Sequence, residues 1–561
     1  MRMGGVLRRA AIALALVTGV VCWRVATLPS AGVGGGALAA GEVRMAYHVH
    51  SARSDGTGTP ASIAAAARDA GIDVVILTDH ADGTRIAEPP QRLDGVLLVD
   101  AAEISTWAGH YVALGAAPSP YPLGGTPASV VEDVARLGGF GVVAHPGSAK
   151  DSLKWRDWDV PFGGVEWLNA DSEWRDQPLR LVEALVTYPW AAVPTITALL
   201  DRPVSELRAW DRRAARTPTV GIAAHDAHAR VGLSGVGEPY EGTVALSVPG
   251  YASMFRAFSN VVRVGAGEWG RDAAADAASV MAAVRGGHLY SVITGRGAGR
   301  VVTFAATSGG TTATMGDQLS PAGGVTFVAE TTAPSDATST LVCDGRAVAS
   351  ADGPRLVWST PSPPGACRLE VAVGLSPAAP WLVTNPIYVR SDLRLPDVQT
   401  LPVMQRREPL PRSDEPAAWI GETSPGSTAS AEDDRSGGVR YRWSLGAQGA
   451  APYAALRLDT PPSLSGADRL VMRAAADRPM RVWLQLRTPQ GDGDRWGSSA
   501  YLDQTPRDVV IPFDRLLSID RRSGTRVPIE RVSALLLVID TVHTRPGDAG
   551  VVRLESLSLA R

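Results

Sequence analysis

Seven of the nine histidines in this 561-residue chain fall between His48 and His228, and nearly all stand at the downstream end of a short apolar run. The segments are AYHVHSARSDG (46–56), VVILTDH (74–80), VLLVDAAEIS (96–105), GHYVALG (109–115), FGVVAHPG (140–147) and TVGIAAHDAH (219–228). A fold that puts imidazoles and carboxylates at so many strand ends has to gather those ends at one face. Alternate residues of a strand point the same way, so His48 and His50 are predicted to share one cavity, and Asp226 and His228 to repeat that arrangement. With Asp55 and Glu103, this is the donor set of a multi-metal hydrolytic site. A lone histidine is more often an ordinary core or surface residue.

Between about 43 and 292, strand-like runs alternate with helical ones. TPASIAAAARDAG (59–71) and TPASVVEDVARLGG (126–139) each carry a Thr N-cap, a Pro at the first helical position and a terminal Gly. SELRAWDRRAART (205–217) and ADAASVMAAVRGG (275–287) read as later helices, and GGVEWLN (163–169) as a buried strand. Repeated strand–helix units predict a parallel sheet with ligands at the strand ends. Ligands drawn from at least six strands favour a closed β/α barrel over an open crevice.

The texture then changes. Short alternating strands from about 296 to 392 predict an Ig-like β-sandwich. Residues 393–415 are Pro-rich and charged and read as a linker that lets the last domain move independently. From 416 to 561 the strands predict a jelly-roll β domain. At the N-terminus, Arg2, Arg8 and Arg9 precede an uncharged apolar stretch, Ala10–Trp23, the layout of a signal peptide or membrane anchor over residues 1–40. Fourteen residues are short for a span, which needs about 17–25. Cleavage at Ala37-Leu38-Ala39 and retention as an anchor are both open, and either exports the body to a periplasmic or extracellular location. Cys22 lacks a convincing lipobox. The net charge of −3 points to no nucleic-acid partner, and only two lysines, Lys150 and Lys154, leave little scope for Schiff-base chemistry. None of the three cysteines lies near the histidines, which excludes a thiolate zinc site. An exported body permits a Cys343–Cys367 bridge, although two buried free thiols would suit the same strands.

The ordered set HxH…SDG, TDH, Glu, GH, HPG, DxH resembles the polymerase-and-histidinol-phosphatase (PHP) family of metal-dependent hydrolases over about residues 43–292. The resemblance implies a distorted (β/α)7 barrel over 41–295 and two or three divalent ions, zinc, manganese or iron. It implies as ligands His48, His50, Asp55, His80, Glu103, His110, His145, Asp226 and His228, with Glu103 bridging. His110 is the loosest match, because spacing varies there. PWLVTNPIYV (380–389) resembles a motif of the exported, carbaryl hydrolase-like branch, and the last domain resembles galactose-binding-like jelly rolls.

The expected activity is metal-dependent hydrolysis with a metal-bound hydroxide as nucleophile, on a phosphoester in the leading reading. A carbamate, ester or amide substrate is the alternative; a non-catalytic metal- and glycan-binding protein is another. Neither GxSxG nor a P-loop occurs. Asp79 is expected to orient a ligand, to take part in proton transfer or to cap backbone amides, Glu166 to face the cavity or brace a loop, and His225 to be structural. Arg53, Lys150 and Arg230, with Lys154 and Arg175, are candidate phosphate contacts or solvated loop charges. Trp107, Trp155, Trp158, Trp167 and Trp174 could line an aromatic pocket, with core packing the default. Trp483, Trp496 and Tyr501 could form a sugar platform, with sandwich core favoured. His288 and His543 are expected at the surface, and the membrane is met only through the N-terminal segment.

Overall fold

The computed structural model describes residues 18–28, 37–175, 177–232, 245–246, 248–374, 379–391, 404, 406–434, 437–449, 451–460, 464–489, 494–519 and 526–561. Residues 1–17 and 29–36 of the predicted targeting segment lie outside them; between these, residues 18–27 form a helix (α1). No described helix is long and apolar enough to cross a membrane.

The chain is mixed α/β. Its N-terminal part builds two sheets from nine strands: β1 (Glu42–Val49), β2 (Val74–Leu77), β3 (Gln91–Leu93), β4 (Val96–Asp100), β5 (Ala102–Thr106), β6 (Gly109–Leu114), β7 (Phe140–Val143), β8 (Gly164–Asn169) and β9 (Val220–Ala224). The capping signals act as predicted. Thr59 and Thr126 accept the amides of Ser62 and Ser129 at the starts of helices α2 (Pro60–Asp69) and α3 (Pro127–Arg136). Gly71 and Gly138 follow them with φ of +73° and +78°, a left-handed exit that glycine adopts without Cβ strain. Three helices not predicted from the pattern, α4 (Ala170–Arg175), α5 (Pro178–Thr187) and α6 (Ala192–Leu199), lie between β8 and helix α7 (Val204–Ala214).

In one sheet β1, β2 and β4 run parallel; in the other β7, β8 and β9 run parallel, with β5 and β6 as an antiparallel hairpin. The sheets touch at two short seams. Val49 bridges Ala227, where the His50 amide donates to Ala227 O (3.0 Å) and the Ala227 amide to His48 O (3.2 Å). His80 bridges Glu103, where the Ala81 amide donates to Glu103 O (3.1 Å). Both seams consist of the histidine- and carboxylate-bearing strand ends, so the main-chain pairing that joins the sheets also brings those side chains together.

The central β region is not a free-standing sandwich. One layer is a four-stranded sheet, but the other continues the sheet of β1 through Ser259–Arg263, Leu289–Val292 and Leu382–Thr384. The 380–389 motif makes that join. Asn385 Oδ1 accepts the Gly221 amide (2.8 Å), its amide nitrogen donates to Gly221 O and Leu289 O, and the Tyr388 hydroxyl donates to Thr219 O (3.0 Å). Strands Thr338–Cys343 and Gly365–Ala372 pair with Cys343 opposite Cys367, and these two cysteines form a disulfide.

The terminal unit is a sandwich of two six-stranded sheets with its own core. It begins earlier than predicted. Arg407–Pro409, inside the expected linker, pairs with the end of the last strand, Ala549–Ala560, and Leu410 is buried. An edge position suits a proline, which has no amide to offer the ladder. The rest of that expected linker, 393–403 and 405, lies outside the described residues.

Nor is the terminal unit detached. Arg481 is buried against α3, donating from Nε to Asp133 Oδ2 and from Nη2 to Asp133 Oδ1 (both 2.8 Å) and to Glu132 Oε2 (2.6 Å). Trp107 and Trp483 stack with ring centroids 4.7 Å apart.

Candidate metal centre

Glu103 stands at the middle of the site, and its two oxygens divide the histidines between them. Oε1 lies 2.8 Å from His110 Nδ1 and 2.8 Å from His145 Nε2. Oε2 lies 3.3 Å from His48 Nε2, 3.2 Å from His50 Nε2 and 3.3 Å from His80 Nδ1. Asp226 Oδ1 closes one side at 3.4 Å from His48 Nε2 and 3.5 Å from His50 Nε2. Asp55 closes the other, with Oδ1 3.2 Å from His50 Nδ1 and Oδ2 3.1 Å from His228 Nε2 and 3.7 Å from His80 Nε2. Among the described residues, three groups have donor atoms within 4.8 Å of one another: His48–His50–Asp226, His50–Asp55–His80–His228 and His80–Glu103–His110. All nine side chains singled out from the sequence therefore meet in one buried cluster.

Simple alternation does not explain how. His48 has φ +62°, His145 +28° and Asp226 +47°, and the β1–β2 register shifts between Ala46 and Val49. Non-glycine residues in the left-handed region are uncommon and collect at functional sites. The kink at His48 turns its ring so that Nε2 comes within 3.1 Å of His50 Nε2.

A second layer of contacts fixes which nitrogen each ring presents. His48 Nδ1 lies 2.6 Å from Glu166 Oε1, His145 Nδ1 lies 3.1 Å from Leu153 O, and His228 Nδ1 lies 2.9 Å from Asp226 O. A proton on each Nδ1 leaves Nε2 as the ligand atom. Glu166 also accepts the His145 amide (2.6 Å) and the Asn169 side-chain amide (2.7 Å), and Asn169 donates to Asp226 Oδ2 (3.3 Å). Glu166 thus does both things the sequence left open: it faces the cluster and braces the His145 loop. Asn169 was missed, because alternation puts it on the opposite face from Glu166. A bulge between Glu166 and Leu168 turns it back.

Asp79 belongs to the bracing, not to the inner cluster. Its carboxylate accepts the Ser51 amide and the hydroxyls of Ser51 and Ser54, each at 2.7 Å, and so holds the 51–54 loop. His225 is structural, stacked on Phe258 with Nε2 3.0 Å from Phe258 O.

Burial opposes charge on His48, His145 and Glu103, and their pairing overrides it. Burial would push His48 down, but Asp226, Glu166 and Glu103 hold it well above the ordinary imidazole value. His145 likewise rises against burial, to about 9, through Glu103. Burial would raise Glu103, yet His80, His48 and His110 hold it well below the ordinary carboxylate value. His80 is different: burial dominates and takes it down to about 4. Three buried carboxylates are thus ionised, and their described ion pairs run to imidazoles. Either protons or cations must supply the balancing charge. Imidazole with carboxylate, at these mutual distances, suits divalent first-row ions.

The weaker candidates lie apart from this inner set. Arg53 pairs with Glu88 (2.5 Å) and Asp100 (3.5 Å), and Arg175 with Asp171 (2.5 Å). Lys150 and Lys154 are exposed, and Arg230 is half-buried just past His228. Trp155 and Trp167 are core. The sugar-platform reading fails on position: Trp483 and Trp496 are buried, and the Arg136 guanidinium covers the Tyr501 ring at 3.4 Å. His543 is not a surface residue either. It is buried at the junction of the terminal and α/β units, against Trp483 and Pro122 O, because the turn that carries it is covered by the neighbouring unit. His288 is partly exposed, as expected.

No family model matches the chain, and no curated protein matches it. Among solved structures, it is similar to a family 11 carbohydrate-binding module from Clostridium thermocellum, at 14% identity and TM-score 0.23 over 27% of this chain and 94% of that one. It is also similar to the mannan-recognising module TmCBM27, at 12% identity and TM-score 0.19 over 28% of this chain and 97% of that one. Likeness at this level carries no assignment for the chain.

Proposed function

We propose that the α/β unit is a metal-dependent hydrolase of the PHP type, acting on a phosphoester. The observation that carries this reading is the division of Glu103 between two histidine sets, His110 and His145 on Oε1 and His48, His50 and His80 on Oε2. A carboxylate shared in this way suits two adjacent cations, with Asp55, His80 and His228 available to a third. Divalent ions bound there would supply Lewis-acid polarisation and lower the pKa of a water. The chain's own part is to hold the imidazoles in one tautomer through Glu166, Leu153 O and Asp226 O, and to keep Asp55 and Asp226 ionised. The seams Val49–Ala227 and His80–Glu103 join β1, β2 and β5–β9 in a ring, and we read that ring as the distorted seven-stranded barrel. A carbamate or ester substrate would use the same cluster.

The test is a screen of purified protein on phosphomonoesters, phosphodiesters and aryl carbamates, with added Mn²⁺ or Zn²⁺ and elemental analysis of the same sample. Turnover of a phosphoester that depends on the added ion is expected. Bound metal without hydrolysis of any of the three classes would overturn the enzymatic reading in favour of a binding protein.

A further inference from the structure

The α5 helix leaves an apolar face uncovered. Val182 is 63% exposed, Leu185 62% and, one turn past the helix, Trp190 76%, with Val186 exposed between them. The spacing 182, 185, 186 and 190 is that of one face of a helix. Beside it lies α1, whose Val20 and Trp23 (61%) are exposed as well. Scattered exposed apolar residues need no explanation, but an apolar set on two helices that an ion pair ties together marks an interaction surface.

Arg24 joins the two helices, its guanidinium 2.5 Å from the Glu183 carboxylate and over the Trp23 ring. Glu183 is the acidic residue of α5, and this pairing neutralises it next to the apolar face. The position of α1 also says what covers that face. The end of the uncharged stretch Ala10–Trp23, residues 18–23, lies in α1, and the Arg24–Glu183 pair ties it to α5. A surface that receives the stretch must therefore meet α5 as well. Fourteen apolar residues are short for an unaided span of about 17–25 residues, and tryptophans are enriched at the water–lipid boundary.

We infer that α1 and the α5–Trp190 face together seat the body on a lipid bilayer, with Trp23 and Trp190 at the headgroup level. The membrane contact then extends well beyond the N-terminal segment. Seated this way, the face adjoins the metal centre. Tyr188, between α5 and Trp190, is 2.9 Å from Ser253 Oγ and accepts the Gly250 amide (2.8 Å), and the neighbouring Tyr251 hydroxyl donates to His50 O (2.8 Å).

The test uses the full chain carrying Cys22→Ser, with an environment-sensitive fluorophore on Trp190→Cys and, in a second sample, on Ile420→Cys in the terminal sandwich. Both positions are exposed, so labelling leaves the core intact. Each protein is reconstituted with vesicles of phosphatidylcholine and phosphatidylglycerol, three to one, with and without brominated acyl chains. The expected result is a blue-shifted emission at position 190 that brominated lipid quenches severalfold, with no quenching at position 420. Protein that floats with the vesicles while position 190 stays unquenched would overturn the inference, as would equal quenching at both positions or failure to float. A blue shift without vesicles that grows with protein concentration would assign the face to a second copy. One independent of concentration and vesicles would assign it to the chain's own N-terminal residues.

Discussion

Glu166 Oε1 and His48 Nδ1 are 2.6 Å apart, both fully buried, at the point where the two sheets of the α/β unit meet. That contact sets the tautomer of the His48 ring, and the other oxygen of Glu166 holds the loop that carries His145. Glu166→Gln keeps the volume but removes the charge that holds the proton on Nδ1. Metal affinity is expected to fall about 10–100-fold while the far-ultraviolet circular dichroism is unchanged. Competition with a chromophoric chelator reads the affinity, and an unchanged value would show that Glu166 is only a packing residue.

Glu103→Gln should be more severe. A neutral amide cannot balance two cations, and five imidazoles would lose their common counter-charge. The expected outcome is loss of at least one ion per chain by elemental analysis and loss of turnover, in a protein that still unfolds cooperatively. Wild-type turnover in this variant would refute the bridging role.

Arg481→Met breaks the buried pair with Asp133 across the two units. Asp133 keeps Arg136 and the Tyr121 hydroxyl as partners, so the loss should lie near the lower end of the range for breaking a buried pair, about 3 kcal/mol. Limited proteolysis should then release the terminal sandwich from the rest of the chain. A digestion pattern identical to the wild type would show that the remaining contacts, among them the Trp107–Trp483 stack and the Arg136–Tyr501 contact, hold the junction without Arg481.

The candidate cluster was legible in the sequence because its residues carry the chemistry and sit where apolar runs stop. What lay out of reach is conformational. The left-handed φ at His48, His145 and Asp226 and the bulge that aims Asn169 at Asp226 leave no trace in an alternation pattern. The junction of the terminal unit was hidden for a related reason. Arg481 falls on the outward face of a strand, which reads as solvated until another unit is known to cover it. The Pro-rich composition of 393–415 reads as linker, although Arg407–Pro409 is an edge strand.

The same junction should respond to acid. Burial, reinforced by Arg481, lowers His543 to about 3, against about 6.5 for a free imidazole. A depressed value means that the docked state excludes the proton. The contribution of His543 to docking is therefore complete above about pH 6.5 and is lost progressively as the pH falls towards 3. By pH 5 the loss should reach about 2 kcal/mol. Protease sensitivity of the junction, followed from pH 7.5 to 5, should rise in the wild type and stay flatter in His543→Leu. Parallel curves for the two proteins would assign the acid response to other groups.

Truncation to residues 41–395 separates the cluster from the junction. Every candidate ligand side chain precedes residue 230, and the 380–389 motif, retained in the truncated chain, ties the central β region to β9 through Asn385 and Tyr388. Metal content per chain is therefore expected to equal that of the full protein. Solubility is not. Removing the terminal sandwich uncovers Trp107 and leaves Asp133 without Arg481, so the shortened chain should aggregate at lower temperature. Replacing Trp107 with Gln in the shortened chain should recover part of the solubility without altering metal content. If the truncated protein folds but binds no metal, a residue beyond 395 completes the site, and the placement of the whole centre in the α/β unit is wrong.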